Sequence, residues 1–222
     1  MKEDGYYSLV REELLPLIPE TAMKILDVGC GEGMLGEYLL QRGAQTVIGV
    51  EKDPEAAQSA RSRLTRVIEE DVEALSFASD LGHFDAIICA DVLEHLIDPW
   101  GVLKRISQCI SHDGHLIASI PNTRYLALVN HLVNGHWTYD SSGLLDRTHL
   151  RFFTLSEIKE MFLKAGLSIT ALHGNLGPLY SEFKDRPDKW EICFDRLHIK
   201  GLSIEEFNEF FVFQYLVQAQ TI

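Results

Sequence analysis

Two rhythms of apolar and polar positions alternate along the first half of the chain. Lys24-Ile25-Leu26-Asp27-Val28 reads as a buried strand that runs at once into glycines. Met34 to Arg42 then repeats apolar residues at helical spacing, with Leu35, Tyr38 and Leu39 on one face. Thr46 to Val50 is a second β-branched run, and Pro54 to Arg66 reads as a helix with proline in its first turn. Val67 and Ile68 open a short third strand that ends near Asp71. Phe84 to Ala90 is almost continuously apolar and reads as a fourth strand. Pro99 to Ile110 has Leu103, Ile106 and Ile110 on one helical face, and Asp113-Gly114 makes the turn into a fifth strand, His115 to Ile120.

The rhythm breaks after Pro121. Thr123 to Arg151 mixes glycines, asparagines, histidines, Trp137 and Tyr139 without clean periodicity, apart from a short helical stretch at Tyr125 to Val133. A long irregular segment in a compact domain is often a lid or substrate wall. Regularity returns with Thr154-x-x-Glu157, a capping box for a helix whose apolar face is Ile158, Met161, Phe162 and Ala165 and which stops at Gly166. Leu167 to Leu172 and Phe210 to Val217 read as two more strands, separated by a second irregular stretch, Asn175 to Glu209.

Strands and helices in strict alternation over short connections give an α/β fold, a doubly wound and mostly parallel sheet of seven strands covered on both faces. The chain, residues 1–222, reads as a single domain. Residues 1–23 form an N-terminal helical cap, 24–122 the ligand-binding core, and 123–151 and 175–209 insertions that shape a substrate site. With 46% hydrophobic and 24% charged residues, a sizeable core can form. A formal net charge of -13 makes nucleic acid a poor partner, because a polyanion is repelled over most of such a surface. Cys30, Cys89, Cys109 and Cys193 show no C-x-x-C spacing, which points to free thiols in a reducing compartment. The charged N-terminus has no signal-peptide pattern, and no apolar run approaches the ~20 residues of a membrane span. A cytoplasmic protein without a membrane partner is the resulting expectation.

The sharpest chemical signal is Leu26-Asp27-Val28-Gly29-Cys30-Gly31-Glu32-Gly33, at the junction of first strand and first helix. Closely spaced glycines let the backbone approach a ligand and present amides at a helix N-terminus. Glu51 ends the second strand, where a carboxylate can accept from both hydroxyls of a ribose. Gly31-x-Gly33-x-x-Gly36 also satisfies the dinucleotide fingerprint, so a nicotinamide (NAD) oxidoreductase is one reading. Asp27 argues against it, since its charge would repel a pyrophosphate and attract an ammonium. A tight strand-to-helix turn with no ligand is the plain structural alternative.

Four segments in order resemble the class I S-adenosylmethionine-dependent methyltransferases. Ile25 to Gly36 resembles the family's glycine motif, and Val47 to Asp53 its ribose-binding strand end. Glu70-Asp71-Val72 resembles its adenine segment, and Phe84 to Leu96 the motif at the end of its fourth strand. The resemblance implies a Rossmann-like methyltransferase fold whose final strand, here Phe210 to Val217, is antiparallel. It implies that Asp27, Gly29, Cys30 and Gly31 surround the methionine moiety of S-adenosyl-L-methionine. Glu51 and Lys52 would flank the ribose, Asp71 and Val72 the adenine, and Ala90 and Asp91 the cofactor ammonium. In such enzymes an N-terminal helix folds over the cofactor, which gives Tyr6, Tyr7 and Arg11 a role in closing the pocket; packing of Leu14, Leu15 and Leu17 on the sheet is the alternative.

A sulfonium methyl is already electrophilic, so the remaining need is alignment of the acceptor and, for a hydroxyl, a base. Asp91 and His95 follow the fourth strand, and His149 approaches from the loop after the fifth; these are the candidate catalytic residues. Related quinone and small-RNA O-methyltransferases hold a metal with Glu-x-x-Glu-His and a further ligand. Here Asp91 stands at the first of those positions, so a divalent metal such as Mg, a metal-free site with a histidine base, and a merely structural Glu94-His95 turn stay open. Asp146-Arg147-Thr148-His149 is a turn-like run in which Arg147 pairs with a local acid or meets substrate. Leu145 to Thr154 resembles bacterial methyltransferases of glycan and secondary-metabolite pathways, which makes a sugar or other small-molecule hydroxyl the expected acceptor. A non-catalytic S-adenosylmethionine-binding subunit is the remaining alternative.

Overall fold

The computed structural model describes residues 10–74, 81–183 and 190–222. Its centre is a seven-stranded sheet built from β1 (Lys24–Val28), β2 (Thr46–Glu51), β3 (Arg66–Glu69), β4 (Phe84–Ala90), β5 (Ile110–Pro121), β6 (Leu167–Leu176) and β9 (Val212–Thr221). The strand order is β3-β2-β1-β4-β5-β9-β6. β9 runs antiparallel to both of its neighbours, while β1 to β5 pair in parallel. After β3 the chain returns to the far side of β1, and the crevice between β1 and β4 is the topological switch point where such sheets bind ligands.

Strand alternation divides the core between two faces. Leu26, Val28, Ile48 and Val50 pack with α3 (Pro99–Ser107) and α5 (Leu155–Lys164) on one side. Ile25 and Val47 pack on the other with α1 (Met34–Gln41), the end of α2 (Pro54–Ala60) and a short 3₁₀ helix, Glu12–Leu17. Asp53 caps α2 by accepting from the amides of Glu55 and Ala56, and Thr154 caps α5 at Glu157.

Several boundaries differ from the sequence reading. α2 stops at Ala60, well short of Arg66, because Leu64 leaves the helix to pack on the sheet and Arg66 already pairs with Ile48. α3 stops at Ser107, and Ile110 belongs to β5, where it opposes Phe84. Asp113-Gly114 therefore lies inside a long β5, at a register shift, where it had been read as the turn ahead of the strand. The last strand starts at Val212, since Phe210 and Phe211 turn into an aromatic cluster.

The first insertion holds the short helix expected of it, and the second is more ordered than its sequence suggests. The first contains α4 (Leu126–Val133). The second contains α6 (Tyr180–Phe183), the hairpin β7 (Ile192–Phe194) and β8 (Leu197–Ile199), and α7 (Ile204–Glu209) with a full capping box between Ser203 and Glu206. Leu126, Phe183, Ile192, Phe207, Phe210 and Phe211 form their shared core. Asn122, fully buried, ties this unit to the sheet by donating to the carbonyls of Glu209 and Val212, each at 2.8 Å.

Candidate functional site

A cleft of about 650 Å³ opens at the carboxyl ends of β1, β2 and β4. Asp27, Gly29, Cys30, Gly31, Glu51, Lys52, Asp71, Val72, Ala90 and Asp91, the ten residues singled out for the cofactor, all line it. The turn that leads into it needs glycine. Gly29 sits at φ 67°, and a Cβ there would stand 2.8 Å from Val92. At Gly49 on β2 a Cβ would collide with Cys30 and Leu64, so the small residue lets the turn lie flat against the strand. Gly31 lines the cleft, whereas Gly33 and Gly36 pack against Leu64.

Glu51 is buried and braced. Its two carboxylate oxygens accept from the amides of Gly31 and Asp53, each at 2.9 Å. One further lone-pair direction on each oxygen stays available to a ligand. Asp27, also buried, stands close enough for Glu51 to repel its charge. Burial and that repulsion together push the Asp27 carboxyl from about 3.8 up to about 7. Burial, with the Asp27 charge second, pushes the thiols of Cys30 and Cys89 well up, so both stay protonated and unreactive. Asp71 accepts from the Glu73 amide at 2.9 Å, which fixes its carboxylate at the cleft wall.

Beyond Ala90 the site divides into two polar groups. Asp91 takes a left-handed backbone, φ 52°, rare outside glycine and tolerated best by Asn and Asp. Its amide donates to Ser119 Oγ at 3.0 Å, and that hydroxyl donates back to Asp91 Oδ1 at 2.8 Å. The Gln214 amide and the Arg11 guanidinium complete its partners. Arg11 lines the cleft, and burial works against its charge; the charges and hydrogen bonds of Asp91 and Glu13 outweigh that, so its pKa rises.

The second group is Glu94, His95 and His149, whose ligand atoms all lie within 4.8 Å of one another. Glu94 and His149 are buried, and His95 lines the cleft. The 146–151 loop is clamped onto the 3₁₀ turn Leu93–His95, with the amides of Leu150 and Arg151 donating to the Glu94 carbonyl at 2.8 and 3.0 Å. Asp146 braces the loop by accepting from the amide and hydroxyl of Thr148. His95 Nδ1 lies 3.1 Å from the Thr148 carbonyl, and His149 Nδ1 lies 3.2 Å from the Leu144 carbonyl. A carbonyl only accepts, so each Nδ1 donates to it. The two rings meet edge to face with centroids 4.7 Å apart.

Asp91 does not join this group. The sequence reading set Asp91, Glu94 and His95 on one turn with His149 approaching from the loop, but the left-handed backbone turns the Asp91 carboxylate toward Ser119, Gln214 and Arg11. Glu94, left out of the candidate catalytic residues, takes its place. Arg147 donates to the Asp140 carbonyl, so the backbone of the loop is its partner. Tyr6 and Tyr7 lie outside the described residues. Gln214 carries no motif signal; only the fold brings it here.

An apolar and aromatic flank extends outward. Leu96 and Leu150 line the cleft, with Leu150 and Ile97 largely exposed. From His149 the rings continue to Phe152 and then Trp137, at centroid distances of 6.5 and 5.3 Å.

A family model described as a methyltransferase domain matches residues 2–172. The ubiquinone biosynthesis O-methyltransferase of Aeromonas salmonicida (strain A449) is 29% identical over 170 residues, 72% of this chain and 70% of that protein. The protein of the same name from Psychrobacter arcticus (strain DSM 17307 / VKM B-2377 / 273-4) is 32% identical over 166 residues, 68% of this chain and 63% of that one. Among solved structures, an S-adenosylmethionine-dependent methyltransferase from Mesorhizobium loti shares the fold, with a TM-score of 0.64 at 19% identity over 97% of this chain and 98% of that chain.

Proposed function

The chain belongs to the methyltransferase-domain family and uses S-adenosylmethionine as methyl donor, and from that premise we propose that it methylates a hydroxyl oxygen of a small, ring-bearing molecule. The observation that carries the oxygen-acceptor reading is the Glu94–His95–His149 group beside the cofactor cleft. A sulfonium needs no activation, but a hydroxyl is a weak nucleophile until its proton is drawn off.

In the cofactor cleft, Glu51 accepts from the ribose hydroxyls and Asp71 from the adenine amino group. Asp27 and the Ala90 carbonyl receive the ammonium. Arg11 meets the carboxylate of the same methionine portion. Gly29 and Gly31 let the backbone approach closely enough for these contacts.

His95, at the cleft wall, is the base for the acceptor hydroxyl, and His149 and Glu94 beside it hold the ring and balance the charge it gains. One carboxylate and two imidazoles at these separations also suit a divalent cation, held by Glu94, His95 and His149, which would supply Lewis-acid polarisation of the acceptor oxygen. The carbonyls behind both Nδ1 atoms are the kind of support that orients histidine ligands. The His149–Phe152–Trp137 rings and the Leu96 and Leu150 side chains favour a planar, partly apolar acceptor over a sugar. The names of the relatives from Aeromonas and Psychrobacter agree with oxygen as the acceptor atom.

The test is transfer of labelled methyl from S-adenosylmethionine to a panel of phenols, catechols, amines and sugars, with and without added Mg²⁺ and after chelation. Label on phenolic oxygen, and none on amines, is the expected outcome. Transfer confined to nitrogen acceptors would overturn the reading, and activity insensitive to chelation would leave His95 as the base without a cation.

A further inference from the structure

The last strand grips the N-terminal segment at two polar points. Gln214, Leu216 and Gln218 alternate onto one face of β9. Leu216 packs with Leu14, Leu17 and Ile18, and Gln218 donates to the Leu17 carbonyl at 2.7 Å. Gln214 reaches the other end of that segment. Its carbonyl oxygen accepts from Arg11 at 3.2 Å while its amide nitrogen donates to Asp91. Gln214 is 7% exposed, so neither contact is a surface accident.

The side-chain amide does both jobs at once, accepting from a cation through its oxygen and donating to an anion through its nitrogen. The Arg11 and Asp91 side chains are only 22% and 26% exposed, so desolvation offsets part of what their pairing contributes to stability. The consequence of the arrangement is orientation. Of the five guanidinium N–H groups, one each is taken by Glu13, Asp91 and Gln214, which leaves one on each terminal nitrogen. Each of these is a charged donor that can meet a carboxylate oxygen.

We propose that Gln214 is a positioning residue for cofactor binding. With Ser119 it fixes Asp91, and with Asp91 it fixes the plane of Arg11, so that a remaining N–H group faces the carboxylate of the cofactor's methionine portion. This rests on the assignment of Arg11 to that carboxylate under the proposed function. Gln214 itself touches neither cofactor nor acceptor; it acts through Arg11.

The experiment compares two ligands by isothermal titration of the full chain. S-adenosylhomocysteine has the amino-acid portion; 5′-methylthioadenosine has the adenosine and the thioether but no carboxylate. Gln214→Met, close in size but with neither hydrogen bond, is expected to weaken S-adenosylhomocysteine roughly tenfold and leave 5′-methylthioadenosine unchanged. Ser119→Ala, a smaller change that loosens the same carboxylate, is expected to show the same selectivity and keeps the test open should Gln214→Met fail to fold. In an Arg11→Ala background, Gln214→Met should have no further effect on either ligand. Equal loss for both ligands, or no loss for either, would overturn the proposal. S-adenosylhomocysteine affinity unchanged in Arg11→Ala alone would instead remove the carboxylate assignment on which it stands.

Discussion

Replacing His149 by alanine is expected to lower methyl transfer about a hundredfold or more, the scale of losing a positioned acid–base group, while cofactor affinity stays almost unchanged. The separation follows from geometry. His149 is buried behind His95 and is not part of the cleft lining, so the cofactor has no contact to lose. What is lost is the ring that fixes His95 edge to face and the second imidazole of the Glu94–His95–His149 group. Turnover and S-adenosylhomocysteine affinity, measured on the same variant, check it. A collapse of cofactor binding would show that the 146–151 loop supports the cleft itself, and an unchanged turnover would remove the group from the chemistry.

Asp27→Asn is expected to move stability and binding in opposite directions. The Asp27 carboxyl is raised from about 3.8 to about 7, so folding favours its protonated form. Below about pH 3.8 both folded and unfolded chains hold the proton and the group costs nothing. As the pH rises toward 7 the unfolded chain ionises first, and above 7 burying the charge costs at most about 4 kcal/mol. Asparagine removes that cost, so the gain in melting temperature of ligand-free Asp27→Asn over wild type should grow from pH 5 to pH 8. If Asp27 receives the cofactor ammonium as proposed, the same change removes that negative partner, and S-adenosylhomocysteine should bind about ten to a hundred times more weakly at pH 8. For the wild type, affinity should climb with pH up to about 7 and then level off, since the ionised carboxyl is the binding form. A variant less stable than wild type at pH 8 would contradict the account of Asp27 as a strained, ligand-directed charge.

The cleft that the ten residues line was legible because its determinants are local. The glycine turn, the acid ending β2 and the apolar β4 each lie in one short segment, and a parallel sheet brings the ends of neighbouring strands together. Boundaries were read less well where apolar spacing continued past the real end of an element. Leu64 and Ile110 keep helical register with the residues before them, yet pack on the sheet from a turn and from a strand. The second insertion was illegible as structure because α6, β7, β8 and α7 are short, and an aromatic cluster drawn from the whole segment holds them. The acceptor side was legible in residue type but not in grouping. Nothing near Asp91 in the chain announces that its backbone turns left-handed; Ser119, Gln214 and Arg11, all distant in sequence, are its partners.

Calorimetric titration of the wild type and of Glu51→Ala with S-adenosylhomocysteine, each repeated with NAD, tests the account most directly. One equivalent should bind the wild type, NAD should neither bind nor compete, and Glu51→Ala should bind about 1–3 kcal/mol more weakly, the scale of hydrogen bonds to a charged group. Binding of NAD in the cleft, or an unchanged affinity in Glu51→Ala, would contradict the assignment of this cleft to the methyl donor.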